Sequence, residues 1–374
     1  MPLSERFLGL DIFRGMTICF MIIVNTPGNY ATTFSPLLHA EWHGFTPTDL
    51  VFPSFLFAVG NALSYVMLRW NSFSQSQVLF KIFKRTALIF LLGYLMYWFP
   101  FFQPDGSGVW HFKPFGETRI MGVLQRIALC YCIAALMLYY LRLRTSAIIS
   151  VIILLAYWPL MYFLGGDPDP LSLTGNAALR VDKALMGESH LYHGEGIAFD
   201  PEGLLSTLPA IANVIGGAMV GNFLQRKGKT YEALTKLLLA GFTLFTIAYF
   251  WDLMFPINKK LWTSSFVVLT VGLDCIIIAG IMYVVDFMHK TRWSHFFEVF
   301  GKNPLFIYLL SEVLAILLYT MKTDSGKSWF QAIYENTFGH IGGKTGSLLF
   351  ALAFMLTCWL VGWWLNKRKI YIRV

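Results

Sequence analysis

Apolar residues along this chain come in long unbroken runs, and the stretches between them gather the charge, proline and glycine. At roughly 20 apolar residues per bilayer crossing, the runs predict about ten helical spans. They fall near residues 8–27, 50–68, 82–101, 119–141, 145–164, 203–224, 234–254, 262–286, 303–321 and 344–365. The runs are continuous rather than alternating with a period of two, which argues against a transmembrane barrel. The pattern predicts an all-α polytopic membrane protein. Neither an internal repeat nor a long linker divides the sequence, so residues 1–374 are expected to form a single transmembrane domain.

Composition agrees, with 56% hydrophobic and 13% charged residues, against about 45–50% and 25% in a soluble domain. The net charge of +8 changes the picture only through its placement. Basic residues cluster at Lys81–Arg85, Arg142 and Arg144, Arg226–Lys229, Lys290 and Arg292, and Lys367–Lys369, after every second span. This is the bias of cytoplasmic loops, so both termini are expected in the cytoplasm and no nucleic-acid partner is implied. The longer loops, 102–118 and 165–202, fall on the opposite face, where a polar substrate is expected to be received. The five cysteines lie inside apolar runs without zinc-site spacing, and no metal is expected.

Between the first two spans lies the densest polar stretch, from His39 to Pro53, with two histidines, two carboxylates and a tryptophan. Histidine is suited to accept a proton near neutral pH, and a nearby carboxylate fixes its tautomer; His39 and Asp49 are the candidates. Trp42 offers a flat face for sugar stacking, although an interfacial tryptophan also belongs to an ordinary aromatic belt. In the first span Asp11 and Arg14 share a helix face, with Asn25 on nearly the same face about 21 Å further on. They form a structural pair and end cap, or line a route across the membrane. Arg119 and Arg126 share a face of the fourth span and call for partners, which Asp274 and Glu312 or the phosphates of an anionic cofactor would supply. Asp200 and Glu202 open the sixth span as helix-start acids, or as groups that hold an amino sugar.

These islands together resemble one family. Asp11-Ile-Phe-Arg-Gly15 and Asn25 are followed by His39-Ala-Glu-Trp-His-Gly44, Thr46 and Asp49-Leu-Val-Phe-Pro53. Then come Arg119 with Gly-Val-Leu-Gln-Arg126, Asp200-Pro-Glu-Gly203, Pro256-Ile-Asn-Lys, Leu261-Trp262 and Asn303. In this order they are similar to the heparan-α-glucosaminide N-acetyltransferase family of transmembrane acyltransferases and its bacterial relatives. The resemblance implies transfer of acetyl from cytoplasmic acetyl-coenzyme A to an amino sugar or glycan end across the membrane. It places the catalytic histidine at His39 and surrounds it with Asp11, Arg14, Asn25 and Asp49. Two departures stand out. The lysosomal member's lumenal amino-terminal region has no counterpart, so a small acceptor is expected, and His43 replaces the asparagine of the His-Ala-X-Trp-Asn-Gly motif.

The resulting expectation makes His39 the general base, Asp49 its orienter and Asn25 a donor to the tetrahedral oxyanion. Asp11, Arg14, Arg119, Gln125 and Arg126 are the candidates on the coenzyme side, and Glu41, Trp42, His43, Asp200 and Glu202 those around the acceptor. Direct transfer and an acetyl-histidine intermediate both remain open, as does homodimer formation. The expected location is the bacterial cytoplasmic membrane, as a multi-pass protein. An O-acetyltransferase of an envelope glycan and a secondary sugar transporter are the alternatives.

Overall fold

The long apolar runs fold as helices in the computed structural model, which describes residues 8–70, 72–104, 109–166 and 168–372. Residues 105–108 and Asp167, within the two longer loops, lie outside the described residues. The chain begins with α1 (Leu8–Asn25), α2 (Val51–Trp70) and α3 (Gln75–Trp98). A short antiparallel hairpin follows, β1 (Phe102–Pro104) and β2 (Trp110–Phe112), paired with Phe102 opposite Phe112. Next come α4 (Val123–Tyr140), α5 (Leu143–Phe163), α6 (Ala177–Met186), α7 (Thr207–Lys227) and α8 (Tyr231–Asp252). The last five are α9 (Ser264–Met282), α10 (Ser294–Lys302), α11 (Pro304–Thr320), α12 (Trp329–Asn336) and α13 (Gly343–Lys367).

Among the described residues eight helices are long and apolar enough to cross a membrane, or nine if a bent pair counts as one span. The expectation of ten differs at two places. The run expected at 82–101 belongs to α3, which starts earlier because Ser74 and Gln77 form a capping box, the Ser74 N–H donating to Gln77 Oε1 at 3.0 Å. That start draws Lys81, Lys84 and Arg85 into the helix and dilutes its apolar character. The run at 303–321 is α11, only 17 residues long and bent by 84° against α10 at Asn303-Pro304. Proline at the first helical position favours a fresh start there over continuation.

The described residues divide into two compact units. One comprises those of Met1–His39, Thr46–Phe55 and Gly280–Arg373; the other comprises those of Ala40–Phe45 and Leu56–Ala279.

In the first unit α1 packs chiefly on α10. A side chain at Gly15 would strike the Phe297 carbonyl, and one at Gly301 the Asp11 carbonyl, so the two backbones touch where only hydrogen fits. Small residues at such crossings provide the close van der Waals packing that holds membrane helices together. Phe330, Tyr334 and Phe350 form a separate apolar cluster between α12 and α13.

In the second unit α4 packs on α3 and α7, and α5 on α7. α2 and α7 meet through Gly60 and Gly217, each pressed against a carbonyl of the other helix, Val214 and Phe57. A loop core of Tyr157, Met161, Leu171, Phe199, Phe255 and Leu261 covers one end of this unit. Within the long loop 165–202, α6 is an added helix, started by Asn176, whose side chain accepts from the Leu179 N–H at 2.8 Å.

Candidate active site

The His39–Asp49 pairing is set by local chain geometry in the first unit. Thr46-Pro47-Thr48-Asp49 opens the turn into α2, with Pro47 pre-setting the backbone and Asp49 reaching back to the Thr46 N–H at 3.0 Å. The Thr46 hydroxyl lies 2.7 Å from the Leu38 carbonyl and 3.0 Å from Asp49 Oδ2, and its single proton serves one of them at a time. With Oδ2 so fixed, Oδ1 stands 2.7 Å from His39 Nδ1. Asp49 is fully buried, whereas the His39 side chain is 44% exposed. A buried carboxylate that receives backbone and imidazole N–H groups keeps the proton on Nδ1 and directs the chemistry of the ring to Nε2. The Thr-x-x-Asp capping box that shapes this turn is a local signal that the sequence analysis did not use.

Asn25, at the end of α1, donates its Nδ2 to Glu312 Oε1 of α11 at 3.1 Å. Glu312, first considered as an arginine partner, is instead the acceptor for this amide. At the other end of α1, Arg14 pairs with Asp11 at 2.9 Å and donates through Nε to the Gly301 carbonyl at 3.0 Å. The same helix therefore carries both polar ends, as its periodicity implied.

The second unit holds a different system. The Arg119 guanidinium forks onto Asp200, Nε to Oδ2 at 2.9 Å and Nη2 to Oδ1 at 2.6 Å, and Nη2 also meets Glu202 Oε2 at 2.6 Å. It lies between the rings of Tyr97 and Tyr192, 4.8 and 4.7 Å from their centroids. The expected partners of the two arginines were the mid-span acids Asp274 and Glu312. The acids that Arg119 meets are those of the loop before α7, residue types that periodicity alone cannot pair across the fold. Arg126 is fully buried, donates to the Gly203 carbonyl at 3.2 Å and to the Ser206 hydroxyl, and rests 4.7 Å from the Trp262 ring centroid. Its Nε and Nη1, and both amide atoms of Gln125, are buried and have no hydrogen-bond partner among the described residues. Buried polar atoms left over in this way are rare and call for an explanation.

The segment 40–45 is also part of this unit. Trp42 is anchored by Nε1 to the Leu171 carbonyl at 2.9 Å, with its ring 5.6 Å from that of Phe199. Lys260 binds the Glu41 carbonyl at 2.9 Å and Glu195 Oε2 at 2.6 Å, and the Gly44 N–H donates to the Ile257 carbonyl at 2.8 Å. His43 Nδ1 stands 3.4 Å from Asn258 Nδ2. Desolvation holds its imidazole below the ordinary value, opposed by Asp169 and Asp252. The two histidines of the motif are thus different: one is coupled to a buried carboxylate and the other is not.

One group escaped the sequence reading. Asp182 of α6 accepts from the Leu204 and Leu205 N–H groups at 3.0 and 3.3 Å through Oδ1, while Oδ2, against Gly203, is buried and has no hydrogen-bond partner among the described residues. Burial pushes this carboxyl up to about 7. An acid in the amphipathic run after the Asn176 cap was the available signal.

The chain is therefore a polytopic helical membrane protein with an aspartate-coupled histidine at a helix entrance and a buried arginine–carboxylate cluster. Residues 6–186 match the family described as heparan-alpha-glucosaminide N-acetyltransferase, catalytic. Over that stretch the chain is similar to the family. The match includes His39, Asp49, Arg119 and Arg126 and ends before Asp200. Over 83% of its length the chain is 29% identical to the heparan-alpha-glucosaminide N-acetyltransferase of Homo sapiens, covering 53% of that protein. With that of Mus musculus it is again 29% identical over 83% of its length, covering 54%. It thus spans about half the length of these relatives.

Proposed function

We propose that residues 1–374 act as one transmembrane acyltransferase domain that moves an acetyl group from cytoplasmic acetyl-coenzyme A to the amine of glucosamine or a related amino sugar across the membrane. The observation that carries the reading is the 2.7 Å contact between His39 Nδ1 and the buried Asp49. An amine near neutral pH is mostly protonated and must lose a proton to attack a thioester. His39 takes that proton at Nε2, with Asp49 holding the tautomer and balancing the imidazolium that forms. The amine nitrogen then bonds to the thioester carbonyl carbon, the carbon–sulfur bond breaks, and the thiol of coenzyme A leaves with a proton. Asn25 has two amide hydrogens, one of which is given to Glu312; the other is assigned to the developing oxyanion.

The orphaned atoms of Gln125 and Arg126 suit a polar donor substrate, and Asp11, Arg14 and Arg119 are proposed as further residues on the coenzyme side. Arg119 is already bound to Asp200 and Glu202, so its share is to keep those acids in place. Glu41, Trp42, His43, Asp200 and Glu202 are assigned to the acceptor. The reading places the protein in a bacterial cytoplasmic membrane with both termini inside.

The test uses inverted vesicles with glucosamine trapped within and labelled acetyl-coenzyme A outside. Wild type should yield an N-acetyl product, and His39→Ala should lower the rate by about 10²–10⁴-fold. An unchanged rate removes His39 from the mechanism, and an ester product from a glycan acceptor points to O-acetylation. Sugar uptake without acetylated product points to transport.

A further inference from the structure

Away from every residue placed in the acyl-transfer site, a groove of about 790 Å3 opens between the first turns of α5 and the last turns of α7. Arg144, Arg226 and Lys227 stand along it, and Ile148, Met219 and Phe223 form its apolar wall. Lys227 is engaged by Glu232 at 2.9 Å. Among the described residues Arg144 and Arg226 make no ion pair, and both are exposed. Below them Ile148, Ile152 and Leu155 of α5 are each more than half exposed. Spaced four and then three residues apart, they form one helical stripe about 10 Å long.

Two guanidiniums without a protein partner at a polar rim, continuous with an apolar track along a membrane helix, match an amphiphilic anion. We propose that this groove binds an anionic phospholipid, with its phosphate between Arg144 and Arg226 and an acyl chain along the α5 stripe. Basic pockets between helices on the cation-rich side of a membrane suit anionic headgroups, and guanidinium is well shaped for phosphate. A zwitterionic lipid fills the stripe equally well but brings its own ammonium to the arginines. Coenzyme A has phosphates too, yet its polar pantetheine arm has no use for the Ile148–Leu155 stripe.

The test measures lipid retention by the full chain. Wild type is reconstituted in phosphatidylcholine nanodiscs with and without phosphatidylglycerol, and bound lipids are counted by native mass spectrometry after transfer to detergent. Wild type should retain phosphatidylglycerol over phosphatidylcholine by roughly 10- to 30-fold, as two basic contacts near an anionic headgroup imply. R144Q/R226Q should lose that preference with its melting temperature kept, and R144K/R226K should keep most of it. Coenzyme A binding should be unchanged in both variants. Equal retention of the two lipids by wild type, or retained selectivity in R144Q/R226Q, overturns the assignment. Loss of coenzyme A binding with lipid selectivity intact also overturns it and makes the groove a nucleotide-phosphate site. Lipid retention requires no acyl transfer, so this outcome is independent of the proposed reaction.

Discussion

Replacing Asp49 by asparagine changes one oxygen to an amide nitrogen, and the geometry decides what that does to His39. Oδ2 accepts from the Thr46 backbone N–H at 3.0 Å, a donor fixed by the turn. The asparagine oxygen must take that position, which turns the NH2 toward His39 Nδ1, 2.7 Å from Oδ1 in the wild type. A donor there bonds only to an unprotonated Nδ1, so the ring is driven to the tautomer with its proton on Nε2, which cannot act as the base. The opposite flip restores the ring but leaves the buried Thr46 N–H facing a donor, at a cost of about 1–3 kcal/mol, or roughly 5- to 150-fold in tautomer population. Loss of the carboxylate charge beside the forming imidazolium adds to this, and the combined fall in kcat should be about 10²–10⁴-fold, with KM for the acceptor little changed. Initial rates of acetyl transfer in proteoliposomes measure it, with a thermal melt to confirm folding. Thr46→Val keeps the backbone donor and should stay within about tenfold of wild type. If a folded Asp49→Asn protein turns over within about threefold of wild type, Asp49 only caps a turn and the catalytic assignment fails.

The buried groups give three further expectations. Asp182 has a folded value raised from 3.8 to about 7, so its contribution to stability is full below about pH 4 and is lost as pH rises toward 7. Asp182→Asn mimics the protonated form and should flatten the melting temperature across that window in detergent; parallel curves for the two proteins refute this. Arg119→Met strands Asp200 and Glu202 and should destabilise by about 3–5 kcal/mol, with much of it recovered by adding Asp200→Asn and Glu202→Gln; a triple variant that melts no higher than the single one contradicts the pairing. Asn25→Ala should lower kcat by about 10²–10³-fold with KM little altered, read from initial rates, and a pure KM effect removes it from the oxyanion role.

The long helices were legible because a bilayer crossing demands a continuous apolar run. α1, expected at 8–27, is Leu8–Asn25, and α13, expected at 344–365, is Gly343–Lys367. The short helices α6, α10 and α12 were not foreseen, since eight to ten mixed residues between spans read as loop. The bend at Asn303 carried a local signal in Asn-Pro, but the 84° change of direction depends on packing that no local pattern contains. In the site, the His39–Asp49 pair was readable because a histidine and a carboxylate stand only ten positions apart in one polar stretch before α2. Pairs distant in sequence were not readable: Arg119 and Asp200 are 81 positions apart, and Asn25 and Glu312 are 287 apart.

Depth in the membrane told which charges needed neutralising, and the fold shows how the second unit does it. Arg119 and Arg126 supply two cations, and Asp200 and Glu202 supply two anions within the same hydrogen-bonded cluster. Glu202 also feels Lys259 as an opposite charge. Asp182 feels Asp200 as a like charge and Arg126 as an opposite one, and burial outweighs both. Burial is the largest cause, and it pushes the Asp182 carboxyl up to about 7. Gly203 joins the two systems, since its carbonyl accepts from Arg126 while its missing side chain makes room for Asp182. A side chain placed there would strike Asp182 directly and shift the backbone carbonyl that Arg126 holds, so glycine at this position serves the charge balance as well as the packing.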